Sequence, residues 1–315
     1  MKAKFSTRNK ALAAAAAAAV AGGIALAAPA TAAPPSPHAN DAAQCSGRSV
    51  PASKISFQLY SYLGWQFQLG DIEPILAELE EVGIKNVEPF GTPGSTFSSY
   101  GNRTAAEFRE LLKEYGIKAP SSHGSTTEAT FPTTLELAKD LGQKWVGSGG
   151  FAAPGITSYE NVLATAETMN RLGEASVKNG TGKFFGHNHN QEFETMYADP
   201  ETGEMKSAWQ ILAENTDPRY VAFEVDVYWA VTAGVDVPAL LDEYGDRIDL
   251  LHIKDGNAPY GRSNITDVGE GDIDWAPILE AAQGKVKYYV LERDGAPNDI
   301  EFAKDSFEYL SCLSF

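Results

Sequence analysis

The chain has 315 residues but only two cysteines, Cys45 and Cys312, and five histidines. Neither cysteine lies in a Cys-x-x-Cys spacing, so a thiolate-rich metal knuckle is excluded. Cations are scarce: 25 Lys and Arg stand against 42 Asp and Glu, a formal net charge of −17. Four of those cations (Lys2, Lys4, Arg8, Lys10) fall in the first 32 residues, which hold no acid, so the remainder carries −21. Such a chain does not concentrate the Lys and Arg that a nucleic-acid backbone or an anionic membrane requires. No Gly-x-Gly-x-x-Gly follows the first apolar run, which argues against a dinucleotide fold. Beyond the N-terminal alanine run no segment is long and apolar enough to span a bilayer. Hydrophobic residues at 43% and aromatics at 10% exclude global disorder.

The N-terminus has the order of an export signal. Met1–Lys10 is basic, Ala11–Ala28 is uncharged and mostly Ala, and Ala30-Thr31-Ala32 puts small residues where a signal peptidase reads. The expectation is a signal peptide over 1–32, a flexible Pro-, Ser- and Ala-rich arm over 33–53, and a single domain over 54–315. Outside the cytoplasm two cysteines pair more often than not, and a closed barrel brings its first strand beside its last helix. A Cys45–Cys312 disulfide is therefore expected.

From Ile55 onward one pattern repeats: a short apolar run, a polar loop, an amphipathic stretch and a glycine. Ile72, Ile75, Leu76, Leu79 and Val82 fall at helical spacing, with Asp71 placed to cap that helix and Gly83 to end it. Strands are expected at Ile55–Tyr60, Asn86–Pro89, Ile117–Ser122, Trp145–Gly147, Phe184–Asn188, Val221–Asp226, Ile248–Lys254 and Val286–Glu292. Helical stripes separate them, and Asp299–Leu313 closes the series. Eight units in strict alternation predict an α/β fold of the (β/α)8 TIM barrel type. An open doubly wound sheet is the runner-up.

In such a barrel the chemistry sits at the C-terminal ends of the strands, and residues two apart on a strand share a face. The fifth expected strand ends in His187 and His189, the sixth in Asp226, the seventh in His252 and Lys254, and the eighth in Glu292. Any one of these could be a hydrogen-bonded or ion-paired strand end. Two imidazoles and two carboxylates on neighbouring strands suit a divalent metal such as Mn²⁺, Zn²⁺ or Fe²⁺, with Mg²⁺ less favoured, rather than Ca²⁺. The expected ligands are His187, Asp226, His252 and Glu292. Glu88 and His123, at the ends of the second and third strands, could face the same mouth. Tyr60, Trp65, Phe90 and Trp229 could wall it, as aromatic faces stack on sugar rings.

These segments carry a resemblance. Gly186-His187-Asn188-His189 with Glu192-Phe193, Val225-Asp226-Val227-Tyr228-Trp229, Leu251-His252-Ile253-Lys254-Asp255, Val268-Gly269-Glu270-Gly271-Asp272-Ile273-Asp274-Trp275 and Val290-Leu291-Glu292-Arg293-Asp294 resemble the sugar phosphate isomerase/epimerase family of the xylose isomerase-like barrel superfamily. The likeness runs from about Ile55 to Leu313. It implies a divalent metal, often Mn²⁺, on Asp226, His252, Glu292 and His187, and a small-molecule carbohydrate substrate. Many epimerases of that superfamily have Glu where this chain has His187, which disfavours epimerisation by two symmetric glutamates. One-base isomerisation, or β-elimination and hydration at an oxidised sugar, stays open. Glu292 or His189 would then remove a proton next to a carbonyl and Lys254 would donate to a neighbouring oxygen, with Glu88, His123, Trp229 and Tyr60 on the substrate. A secreted glycosidase using Glu88 and Glu292, a non-catalytic sugar-binding protein and, last, a metal-dependent endonuclease are the alternatives.

Overall fold

The computed structural model describes residues 47–315. Among them seven parallel strands form one sheet: β1 (Ile55–Gln58), β2 (Val87–Glu88), β3 (Trp145–Gly147), β4 (Lys183–His187), β5 (Val221–Asp226), β6 (Ile248–Ile253) and β7 (Tyr288–Leu291). Across the sheet they run β2-β1-β7-β6-β5-β4-β3. The two outer strands are joined through residues 117–123, so the cylinder closes where the third of eight strands was expected. That segment is not a regular strand. It makes isolated parallel bridges, Asn86 to Lys118, Phe90 to His123 and His123 to Gly147. Pro120 is the physical reason: it has no N–H for a ladder, and its carbonyl takes the N–H of both Lys144 and Trp145.

Eight helices cover the sheet: α1 (Glu73–Val82), α2 (Ala105–Glu114), α3 (Phe131–Leu141), α4 (Tyr159–Asn179), α5 (Ala208–Asn215), α6 (Val237–Tyr244), α7 (Trp275–Ala282) and α8 (Glu301–Cys312). Each buries the apolar stripe legible in its sequence. In α1 these are Ile75, Leu76 and Leu79, and Gly83 ends the helix at φ 101°, a left-handed conformation that glycine adopts without strain. Asp71 does not cap the helix as a single acceptor; it takes the Glu73 N–H and a two-pronged ion pair from Arg103. Thr104 and Glu107 form a capping box on α2. In α4, Gly173 faces the β5 side, where a Cβ would stand 2.5 Å from the Tyr220 carbonyl oxygen. The helix can lie that close only without a side chain there. Short helices at Leu63–Leu69, Gln191–Glu194 and Val227–Thr232 were not expected. No helix among the described residues is long and apolar enough to cross a membrane.

The core lies between sheet and helices. Trp209 is fully buried there, with ring centroids 5.3 Å from Phe193, 5.0 Å from Phe223 and 5.3 Å from Tyr244. The expected leader (residues 1–32), most of the expected arm and Cys45 lie outside the described residues. The last residues of that arm pack against the end of the chain and the core. Val50 is buried, and Arg48 and Phe315 exchange hydrogen bonds, Phe315 N to Arg48 O at 3.0 Å and Arg48 Nε to Phe315 O at 3.0 Å. Cys312, at the end of α8, is disulfide-bonded. Because Trp209 fills a site walled by three rings, Trp209→Ala should cost roughly 3–5 kcal/mol. Urea unfolding should show that loss in the midpoint with an unchanged slope.

Candidate metal centre and active-site cavity

Strand register assembles the site. His187 on β4 lies opposite Glu224 on β5, and Asp226 on β5 lies opposite His252 on β6. Glu224 and Asp226 are two residues apart and face inward together, as do His252 and Lys254. Glu292 follows β7, its N–H donating to the Ile253 carbonyl at 3.2 Å. The result is a buried polar column inside the barrel, in which Glu88, Glu224, Asp226 and His252 have no exposed surface.

Its upper tier holds Asp226, Lys254 and Glu292. The Lys254 ammonium lies 2.7 Å from Glu292 Oε2 and 3.0 Å from Asp226 Oδ2, the latter an ion pair without hydrogen-bond alignment. Asp294 is 3.5 Å from the same nitrogen. Asp226 also caps the helix Val227–Thr232, accepting the Trp229 N–H through Oδ1. The lower tier holds two glutamates. Glu224 Oε2 lies 2.7 Å from His123 Nε2 and 3.0 Å from His187 Nδ1. Glu88 Oε1 lies 3.1 Å from His252 Nε2 and takes a 2.6 Å hydrogen bond from Gln58. His187 and His252 stand between the tiers. The second nitrogen of His252, Nδ1, is 2.8 Å from Glu292 Oε2, and that of His187, Nε2, is 3.9 Å from Asp226 Oδ2.

The electrostatics follow from that count. Four buried carboxyl groups face a single buried ammonium, so the column is short of positive charge. Burial opposes a charge on His123, but Glu88 and Glu224 outweigh it and push the imidazole up to about 10. Burial likewise opposes a charge on His252, and Glu224 and Glu292 overcome it, raising that ring well above its usual value. His187 goes the other way. Burial, with its two imidazole neighbours, pushes it down to about 4 despite Glu224. It is therefore neutral. Burial works against ionisation of Glu292, yet Lys254 and His252 hold it well below the usual carboxylate range.

A divalent cation suits this donor set. Asp226, His252 and Glu292 present donor atoms all within 4.8 Å of one another, close enough to converge on one ion. His187 adds an unprotonated nitrogen beside Asp226, two acceptors that call for a cation between them. A deeper set, His123, His187, Glu224 and His252, meets the same spacing. Two buried oxygens of the lower tier, Glu88 Oε2 and Glu224 Oε1, have no hydrogen-bond partner.

Above the column opens a cavity of about 330 Å³ lined by Tyr60, Phe90, Gly91, His123, Gly149, His187, His189, Lys254, Arg262, Glu292 and Asp294. Tyr60 is 43% exposed and meets Phe90 edge-on at 5.2 Å. His189 stands 5.4 Å from the His187 ring and 5.9 Å from Trp229, and burial lowers its pKa. Two expected substrate contacts are placed differently. Glu88 does not line the cavity; it is buried beneath His123 and His252, held by Gln58. Trp229 is 6% exposed and packs behind His189, with Lys254 Nζ and the Arg262 guanidinium each 5.8 Å from its ring. Trp65 packs into the core against Tyr62. Asp255, next to Lys254 in the chain, is buried. Its carboxylate takes N–H groups from Gly256, Gly269 and Trp275, pinning the loop 268–275.

Sequence reasoning passed over Glu224 and Arg262. The signal for Glu224 was present: an acid inside the apolar run Val221–Val225 must be paired, because an isolated buried charge is prohibitive. Arg262 had no signal, since it sits on a single 3₁₀ turn, Arg262–Asn264, within the connection after β6.

Several known proteins are similar to this chain. Residues 76–311 match the family model for xylose isomerase-like TIM barrels. An inosose dehydratase of Geobacillus thermodenitrificans is 24% identical over 224 residues, 64% of this chain and 67% of that protein. A sugar phosphate isomerase/epimerase of Parabacteroides distasonis superposes with a TM-score of 0.67 at 24% identity, covering 84% of this chain and 98% of that one. The IOLI protein, solved with a bound zinc atom, superposes at 0.59 with 15% identity over 81% of this chain and 94% of its own. At these identities the superpositions speak for the fold, while the family model spans three quarters of the sequence, and the chain belongs to the xylose isomerase-like TIM barrel family.

Proposed function

We propose that the chain is an exported, divalent-metal-dependent carbohydrate isomerase, epimerase or lyase that removes a proton next to the carbonyl of a sugar or keto-sugar. The observation that carries this reading is the convergence of Asp226, His252, Glu292 and His187 beneath a cavity that also presents His189 and Lys254. Those four residues would hold the ion, with Mn²⁺ first and Zn²⁺, Fe²⁺ or Mg²⁺ as alternatives. When bound, it supplies Lewis acidity toward a carbonyl oxygen and its neighbouring hydroxyl. The zinc-bound relative and the dehydratase and epimerase names among the similar proteins support the class. The basic leader and a disulfide at Cys312 support a place outside the cytoplasm.

The residues divide the work. His189 is the better base: it lines the cavity, and burial keeps it neutral at pH 7. Glu292 is held by Lys254 and His252 and is therefore a weaker base. Lys254, kept protonated by Asp226 and Glu292, donates to an oxygen of the substrate beside the breaking C–H bond. Tyr60 and Phe90 offer aromatic faces for a sugar ring, and His123 and Arg262 offer hydrogen-bond donors. A single base on one side favours isomerisation or β-elimination over two-base epimerisation. The glycosidase alternative pairs Glu88 with Glu292, and Glu88 does not reach the cavity.

Incubation of Mn²⁺-loaded protein in D₂O with free sugars, 3-keto-sugars and keto-glycosides should put deuterium on a carbon next to a carbonyl, read by NMR. Chelator should abolish the exchange and Mn²⁺ restore it. Binding of these sugars without exchange would identify a sugar-binding protein instead. Lys254→Met should lower kcat by roughly 10²–10⁴-fold while leaving KM within a few-fold, as expected for loss of a general acid.

A further inference from the structure

We infer that Glu224 and Glu88 are positioning residues that set which nitrogen of each buried imidazole is offered to the ion, His187 through Nε2 and His252 through Nδ1. This rests on the metal reading above and deepens it. Both glutamates lie below the cavity lining, and neither was expected as a ligand.

The geometry is reciprocal. Each imidazole has one nitrogen toward the lower tier and one toward the upper. His187 points Nδ1 at Glu224 Oε2, 3.0 Å away, and Nε2 toward Asp226 Oδ2 at 3.9 Å. His252 points Nε2 at Glu88 Oε1, 3.1 Å away, and Nδ1 toward Glu292 Oε2 at 2.8 Å. A carboxylate accepts hydrogen bonds and cannot donate them. The N–H of His187 is therefore placed on Nδ1 and an N–H of His252 on Nε2. Without an ion, His252 Nδ1 also carries a proton, donated to Glu292 Oε2; with an ion bound, the opposite nitrogens, His187 Nε2 beside Asp226 and His252 Nδ1 beside Glu292, would be the ones offered to it. A carboxylate on the far side of a metal-bound imidazole fixes the ring's tautomer and angle and makes it a stronger ligand.

The glutamates are themselves fixed. Gln58 Nε2 donates to Glu88 Oε1 at 2.6 Å. His123 Nε2 lies between the two acids, 2.7 Å from Glu224 and 3.0 Å from Glu88, and its ring stacks 5.2 Å from His252 with the planes 6° apart. His123 thus ties the two carboxylates together and wedges the His252 ring. The rival arrangement puts the ion lower, on His123, His187, Glu224 and His252. The upper tier is favoured because there two carboxylates, Asp226 and Glu292, lie beside imidazole nitrogens that the lower glutamates do not engage.

The full chain with ¹⁵N-labelled histidine and bound Zn²⁺ gives a direct reading. Long-range ¹H–¹⁵N correlations should show the remaining proton of His187 on Nδ1 and that of His252 on Nε2. A proton on either opposite nitrogen overturns the assignment without any variant. Competition with a chelator for Co²⁺ gives the second reading. Glu224→Gln and Glu88→Gln should each weaken Co²⁺ roughly 10–100-fold, with one ion per chain and an unchanged visible absorption band. Affinity within twofold of wild type in both variants overturns the proposal. So does loss of the stoichiometric ion in His123→Gln or Glu224→Gln while Asp226→Asn retains it, which would place the ion in the lower tier. Wild-type chain that takes up no Co²⁺ or Zn²⁺ would instead remove the metal reading, and this assignment with it.

Discussion

The constraint on which this structure turns is the compensation of buried negative charge. Four carboxyl groups, Glu88, Glu224, Asp226 and Glu292, stand inside the barrel with one ammonium, Lys254, among them. Isolated, each would cost several kcal/mol to bury. They are tolerated because every one is threaded into a chain of imidazoles and hydrogen bonds that runs from Gln58 at the bottom to Asp294 at the mouth. The same shortage of positive charge that draws protons to His123 and His252 makes the column receptive to a dication.

Barrel topology is what brings the groups together. The histidines and acids are separated by up to 204 positions, from Glu88 to Glu292, yet they sit on strands whose ends circle one axis. Parallel register puts His187 beside Glu224 and Asp226 beside His252, so tiers of side chains, not sequence neighbours, are the working units. The helices and the pinned loop 268–275 act at a distance. Asp255 ties that loop to the end of β6 through two N–H groups, Gly269 N and Trp275 Nε1, and Gly271 lets it approach, since a Cβ there would lie 2.0 Å from Asp255 Oδ1.

Glu224 and Glu88 show how a site can be half legible. Asp226, His252 and Glu292 stand at strand tips, where barrel chemistry is looked for, so they drew notice. Glu224 lies on the same face two residues earlier, and its position inside an apolar strand marked it as paired, but not with whom. Glu88 was noticed and assigned to the substrate because it ends a strand. Its real neighbours are His123, His252 and Gln58, which come from three different strand positions.

The amino-acid sequence by itself determined the alternation of strands and helices, the helix end at Gly83, and the set of strand-tip residues that could carry chemistry. Those features depend on local periodicity, capping and the two-residue repeat of a strand, all of which act over a few positions. Tertiary structure alone decided that residues 117–123 close the cylinder without a regular strand. It also decided that Glu88 lies beneath the cavity, that Arg262 reaches it, and which nitrogen of each imidazole faces which acid. These depend on inter-strand register, loop path and the sharing of charge among groups far apart in the chain, and none of the three is written in the order of neighbouring residues.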